Sequence, residues 1–350
     1  MAAISAILFS VLHENSTSKN VIVLGDELYC DTPRCAETWR NVFKATVESV
    51  DVRDGNKIIR LFQKYGNRVV LFFVESCSNP SAQMLDWSLL ARLKELSPKC
   101  IVCIDNTWLT SALFNPFQAL LPAGAVDIVV ESLSKYRSAG KCIGGMIVGR
   151  KAIVDVLKKF IRLNGLFVGA DHCELFTAAQ ETLNERVLRA SNVAGQVVDA
   201  LVAVGGVTIV YPTLDTHPTH TIYSQVVGCA DARRGPPVFW MHVESNCSFR
   251  DIMDSAYPAH LRKETSYGAA YSKIDPWPRL GLHNDYWKKT DGDDGEDDDD
   301  GDGDGGGGAA NGAGKQGVWL RVSVGFNNND TTEALLAALQ QVVQHYRQIK

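Results

Sequence analysis

The chain has 350 residues, 45% of them hydrophobic and 21% charged, a globular composition that excludes a disordered or fibrous protein and suits two domains or one large domain with a smaller partner. Its formal charge of −5 hides a split, because ten acidic residues lie between 291 and 304 and setting them aside turns −5 into +5. The remaining basic residues are scattered rather than gathered into a stripe with interleaved aromatics, which speaks against nucleic acid as a partner.

In chain order, AAISAILFSVL reads as a helix, NVIVLGDELY as a strand and turn, DGNKIIRLFQKYG as a helix and RVVLFFVES as a strand. LDWSLLARLKELS then reads as a helix, CIVCIDNTW as a strand and loop, and VDIVVESLS as a strand. Several of these strands are nearly continuous apolar runs bounded by polar turns, the mark of a mostly parallel sheet covered by helices on both faces. Residues 151 to 203 read as long helix, with CELFTAAQETLNERVLRASNVAGQVVDALVAV as one continuous element. Beyond 205 the shorter strands GVTIVY, PVFWMHVE and VWLRVSVGF precede a closing helix, TTEALLAALQQVVQHYRQI, which suggests a smaller α+β domain.

The opening MAAISAILFSVL lacks a positively charged start and a small-residue cleavage site, so it reads as an internal helix rather than a secretory signal. No run approaches the roughly 18 apolar residues of a membrane span, so no membrane is expected as a partner. Nine cysteines are an odd number without framework spacing, which points to reduced thiols and a cytoplasmic location. Cys100 and Cys103 form a CxxC, but within a strand residues three apart face opposite sides, so no metal site is expected there.

Residues 289 to 316 are a low-complexity Asp/Gly segment and read as a disordered surface insertion. Gly301, Gly303 and Gly306 satisfy GxGxxG, but no apolar strand precedes them. Asp298, Asp300, Asp302 and Gly303 open like a calcium-binding loop, but Ala309 stands at its twelfth position, where glutamate is needed. Neither is counted as a site. A nucleotide-dependent α/β enzyme is also set aside, because GDELYC after the first strand is not a phosphate-binding loop.

Ligands of open α/β sheets bind beyond the carboxyl ends of the strands. Three polar clusters follow strand ends here: Glu75 to Asn79, Asp105 to Thr107, and Ser132 to Lys135. A lysine losing hydration in such a crevice has a lowered pKa and becomes a nucleophile toward carbonyl compounds. Ser132 and Ser134 could donate to a phosphate, and Asp105 could pair with a protonated ring nitrogen. Lysine, aspartate and hydroxyls together suit pyridoxal phosphate (PLP), a phosphorylated pyridine aldehyde. Each residue also has a plainer reading: Lys135 as a solvated lysine, Asp105 as a cap, Tyr29 as a core residue with a satisfied hydroxyl, and Asn79 before Pro80 as a turn former.

Taken in order, these stretches resemble the Cys/Met-metabolism PLP enzymes, the family of cystathionine γ-synthase, cystathionine β- and γ-lyases and methionine γ-lyase. LYCDTPR is similar to LYGGTxR, VESCSNP to ExPSNP, IDNTW to VDNTF, DIVVESLSKY to DIVxHSxTKY, and LRVSVGF to VRLSVGxE, and GGMIVG follows the lysine at the expected place. The resemblance implies the type I, aspartate-aminotransferase-like α/β fold. Residues 1–188 would be the PLP-binding large domain, with its mostly parallel sheet. Residues 189–350 would be a smaller C-terminal α+β domain holding the insertion. It implies that Lys135 binds the cofactor covalently, that Tyr29 stacks on its ring, and that Asn79 lies near its phenolic oxygen. Asp105 would partner the ring nitrogen with Thr107 in support, and Ser132 and Ser134 would contact the phosphate. Lys135, Tyr29 and Asp105 would be catalytic, while Arg321, Ser266 and Asn79 would bind an amino-acid substrate, Arg321 clamping its α-carboxylate. A homo-oligomer, a dimer or tetramer with shared active sites, is implied as well.

The departures bear on function. The family's N-terminal arm, which reaches the neighbouring subunit's phosphate, has no counterpart ahead of Met1, so the chain is expected to be N-terminally truncated or to have lost part of its phosphate cup. AAQETL at 178 to 183 replaces RGLxTL, and ETSYGAAYSK replaces ESLGGxESL, with Thr265 where γ-acting members often carry glutamate. The expected activity is elimination or replacement at the β or γ carbon of sulfur amino acids, of the cystathionine γ-synthase or γ-lyase type. A cystathionine β-lyase type and a noncatalytic subunit of the same fold are the alternatives.

Overall fold

The computed structural model describes residues 1–15, 20–79, 81–120, 124–227, 234–277, 317–327 and 330–349. The acidic segment 289–316 lies outside the described residues.

The first half alternates strands with helices: α1 (Ala2–Glu14), β1 (Val21–Gly25), α2 (Asp31–Phe43), β2 (Thr46–Val50), α3 (Gly55–Tyr65), β3 (Val69–Glu75), α4 (Leu89–Leu96) and β4 (Ile101–Asp105). The short helices α5 (Thr110–Leu113) and α6 (Pro116–Ala119) follow, then β5 (Ile128–Ser132) and β6 (Gly145–Gly149). These six strands form one sheet in the order β2-β1-β3-β4-β5-β6. All its pairings are parallel except β5 with β6, which is antiparallel at the edge.

Alternation along the strands sorts their side chains onto two cores. Ile22, Leu24, Leu71, Phe73 and Cys103 pack with Ile4, Ile7, Leu8 and Leu12 of α1 on one face. Val21, Val23, Phe72, Val74, Val102 and Ile104 pack with Phe62, Leu90, Leu93 and Cys100 on the other. Each large aliphatic side chain buried this way contributes about 1.5–3 kcal/mol. Cys100 and Cys103 thus belong to opposite faces, as the strand reading requires, and both are free thiols.

The connector is three helices: α7 (Lys151–Leu163), α8 (Ala170–Glu181) and α9 (Leu183–Val204). The expected continuous helix breaks at Thr182, where Arg186 reaches back across the junction. Its Nε donates to Thr182 Oγ1 at 3.0 Å and its Nη2 to Ala179 O at 2.7 Å. α9 is long and apolar enough to cross a membrane by length and composition, but its Val187, Ala190, Ala194, Val197 and Leu201 fill the second core. α4 starts later than expected because Asp86 Oδ1 accepts from both the N–H and the hydroxyl of Ser88, a turn that competes with the first helical turn.

The remaining elements are β7 (Thr208–Val210), α10 (His220–Val226), β8 (Val238–Glu244), α11 (Phe249–Asp254), β9 (Arg262–Lys263), β10 (Lys273–Trp277), β11 (Gly317–Ser323) and α12 (Thr332–Gln348). Their five strands form a second sheet ordered β7-β8-β11-β10-β9. Val318, Leu320 and Val322 alternate toward the core shared with α9 and α12, which turns Trp319, Arg321 and Ser323 to the opposite face. Nine of the elements above went unanticipated: α2, β2, α5, α6, β6, α10, α11, β9 and β10.

Candidate active site

The first sheet brings its polar strand ends into register. Glu75 pairs with Asp105 across β3 and β4, and Asp105 pairs with Val130 across β4 and β5. Asp105 Oδ1 accepts from the N–H of Thr107 at 2.9 Å and from its hydroxyl at 2.5 Å. The same Thr107 oxygen accepts from the N–H of Ser132 at 2.8 Å. One threonine therefore ties the aspartate to the segment that carries Lys135, three residues after Ser132.

Asp105 is buried, and among the described residues no lysine or arginine pairs with it. Burial pushes its carboxyl up to about 6 against the opposing pull of the two Thr107 hydrogen bonds. Glu75 beside it is also buried, and its Oε1 accepts from the N–H of Tyr29 at 2.5 Å. Burial first, and the neighbouring Asp105 charge second, push the Glu75 carboxyl well up. Tyr29 itself remains 42% exposed. Asn79 is buried with its Oδ1 unpartnered.

Lys135 meets the second half of the chain. Its Nζ lies 2.5 Å from Ser266 Oγ and 4.9 Å from the ring centroid of Tyr267. Burial, with Arg321 and Lys273 adding positive charge nearby, brings the amine down to about 8. The loop that carries Ser266 presses against the lysine backbone: at Gly268 (φ +76°) a Cβ would lie 2.5 Å from Tyr136 N and 2.7 Å from the Lys135 carbonyl carbon. Only glycine fits that approach, and Ser266 itself holds φ 85°.

Of the residues expected from sequence, Asp105, Thr107 and Ser132 are joined by hydrogen bonds, and Lys135 is joined to Ser266. The Ser134 hydroxyl accepts from Gly144 N at 3.0 Å and donates to Gly144 O at 3.4 Å, closing the turn that follows the lysine. Arg321 is buried in the second sheet, where its Nη2 donates to Asp275 Oδ2 at 2.6 Å.

Three residues of the site were missed. Tyr267 packs between Trp108 and Tyr136 and faces the amine; an aromatic directly after Ser266 was the available signal. Arg137 donates to Glu131 Oε2 at 2.6 Å and to Gln180 Oε1 at 2.7 Å, and Gln180 Nε2 donates back to Arg137 O at 3.0 Å. The AAQ stretch thus holds the turn after Lys135 with a glutamine. Arg186 Nη1 donates to Tyr136 O at 2.9 Å.

The arrangement suits a phosphorylated pyridine aldehyde. An aldehyde needs an amine of lowered basicity, a pyridinium needs a carboxylate with no protein cation, and a ring oxygen needs a donor such as the amide of buried Asn79. A buried charge demands a partner, and among the described residues no lysine or arginine forms an ion pair with Asp105.

Comparison with known proteins agrees. Residues 1–233 match the family model described as Cys/Met metabolism PLP-dependent enzyme. An L-methionine gamma-lyase of Fusobacterium nucleatum subsp. polymorphum is 30% identical over 227 residues, 63% of this chain and 54% of that protein. A cystathionine beta-lyase of Neurospora crassa is 29% identical over 205 residues, 58% of this chain and 43% of that protein. The chain thus spans about half the length of the curated relatives it matches. The crystal structure of cystathionine gamma-lyase from Lactobacillus plantarum superposes with a TM-score of 0.76 at 20% identity, covering 99% of this chain and 81% of that one, which shows the fold. The chain belongs to the Cys/Met metabolism PLP-dependent enzyme family.

Proposed function

We propose that the protein is a PLP-dependent lyase or transferase that eliminates or replaces the sulfur-bearing group at the β or γ carbon of a sulfur amino acid. The observation that carries this reading is the buried Asp105 carboxylate, without a protein cation, tied through Thr107 to the segment bearing a lysine lowered to about 8. When bound, PLP supplies a protonated ring that takes up the negative charge left at Cα once its proton departs.

The chain's own residues divide the remaining work. Lys135 would hold the cofactor through Nζ. As a free amine, the same Nζ would take the substrate's Cα proton and return it toward the departing group. Ser266, 2.5 Å from that nitrogen, keeps it aimed. Asp105 would hold the protonated ring nitrogen, its carboxylate oriented by the two Thr107 hydrogen bonds. Tyr29 would offer a stacking face, Asn79 would hold the ring oxygen, and Ser132 and the turn closed by Ser134 would hold the phosphate. Arg321 receives the substrate α-carboxylate.

The test is borohydride reduction of the PLP-loaded protein followed by peptide mapping, together with keto-acid release from L-cystathionine and L-methionine. A reduced pyridoxyl group on Lys135 and keto-acid production support the proposal; a group fixed on another lysine, or no turnover of either compound, overturns it.

The protein is further read as a homo-oligomer with a cytoplasmic location. Ile143, Leu163 and Phe167 are 80%, 71% and 67% exposed, and Leu166 and Leu175 are exposed as well, apolar side chains that a second copy would cover. Light scattering should give at least a dimer, which Phe167→Asp should weaken. The location rests on the odd number of cysteines and on every described one being a free thiol.

A further inference from the structure

The face of the second sheet that bears Arg321 carries a buried ion pair that the reading of the site leaves unused. Asp275 in β10 stands directly opposite Arg321 in antiparallel register, and Trp240 stands opposite it on β8. The two charged side chains are 9% and 7% exposed. The Trp240 ring lies 5.8 Å from the guanidinium carbon. Lys273, two residues along the strand, is paired with Glu264 at 3.0 Å, so Arg321 alone answers Asp275 among the described residues. The Nε of Arg321 is buried without a hydrogen-bond partner.

We propose that Asp275 is a positioning residue that acts as the internal counter-anion of Arg321 and competes with the α-carboxylate of the substrate for that guanidinium. The inference rests on the reading of Arg321 as the carboxylate seat. A guanidinium removed from water needs an anion beside it. With no substrate present, Asp275 supplies that anion and keeps the guanidinium in one orientation. An arriving carboxylate must share a single positive charge with Asp275, and two carboxylates on one guanidinium repel strongly in a medium of low dielectric. The seat is therefore preformed, and its hold on a carboxylate is weakened.

The test uses the PLP-loaded protein and two compounds followed by the absorbance of the bound cofactor: L-methionine, and 3-(methylthio)propylamine, which has the same side chain but no carboxylate. Asp275→Asn keeps the shape and removes the charge. It should bind L-methionine about tenfold more tightly than wild type and leave the amine's affinity unchanged, while Asp275→Glu should return the L-methionine affinity toward wild type. The Asn variant should also melt below wild type, and L-methionine should raise its melting temperature by more than it raises that of wild type, which a merely structural aspartate would not produce. L-methionine binding that is unchanged or weaker in Asp275→Asn overturns the proposal. Should that variant not fold, the wild type carries the test. Competition by Asp275 limits the preference for L-methionine over L-methioninamide to about tenfold, and a preference above roughly a hundredfold overturns it. Failure of the parent reading looks different, since no pyridoxyl group would then be fixed on Lys135 before either compound is added.

Discussion

Lys135 Nζ and Ser266 Oγ lie 2.5 Å apart although 131 residues separate them in the chain. The amine comes from the turn after β5 and the hydroxyl from the loop before β10, so the contact joins the two sheets at the reacting nitrogen. Burial holds that nitrogen at about 8, with the charges of Arg321 and Lys273 acting in the same direction. The amine is neutral and nucleophilic above that value and protonated below it. The rate at which the PLP-free protein captures the aldehyde is therefore expected to rise about tenfold per pH unit up to about 8 and then level off. Stopped-flow absorbance across pH 6 to 10 measures it, and a rise that continues to the ordinary lysine value near 10.5 would contradict the burial argument. Lys135→Ala should lower turnover by roughly 10³-fold or more.

Asp105 makes the opposite kind of statement about stability. Its folded-state value of about 6 lies above the ordinary aspartate value of 3.8, so between about pH 4 and 6 the folded protein holds a proton that the unfolded chain has lost. The group's contribution to the PLP-free protein therefore falls as pH rises through that window, by about 3 kcal/mol for a shift of about two units. Asp105→Asn is expected to stabilise the PLP-free protein at pH 7 by up to that amount, with the gain vanishing below pH 4. The same variant should lower turnover by about 10²- to 10³-fold. Denaturant titrations at pH 4 and pH 7 decide the first point, and an Asn variant less stable at pH 7 than wild type would refute it.

Gly268 sets how closely the Ser266 loop approaches the lysine. Gly268→Ala places a Cβ 2.5 Å from Tyr136 N at a φ of +76°, which is expected to cost about 1–3 kcal/mol and to move Ser266 away from the amine. Two readouts check this together: a lower melting temperature, and a Lys135 capture profile shifted along the pH axis.

Glu131 is buried, and Arg137 Nε donates to it at 2.6 Å. Burial pushes the carboxyl up and Arg137 pulls it down. Arg137→Ala would leave Glu131 without its cation and should destabilise the protein by about 3–5 kcal/mol. Gln180→Ala, which removes a contact to an arginine that keeps Glu131, should cost about 1 kcal/mol. Urea unfolding of the two variants side by side tests the ranking, and equal losses would contradict it.

Much of this protein is legible in the sequence because local chemistry dictates it. The apolar run of β3, buried at all seven positions, can only be a strand covered on both faces. Strand ends rich in Asp, Asn, Ser and Lys mark where a ligand belongs, since a parallel sheet aligns its carboxyl ends. The second half is less legible, because β10 carries Lys273, Asp275 and Pro276 in place of an apolar run and gains its place from pairing with β11. Tertiary structure alone decides that Ser266 meets Lys135, that Arg186 breaks a helix to hold Tyr136, and that Asp275 faces Arg321. Each of these contacts spans tens of residues or more of chain, and its partner is chosen by sheet register and close packing rather than by neighbours in sequence.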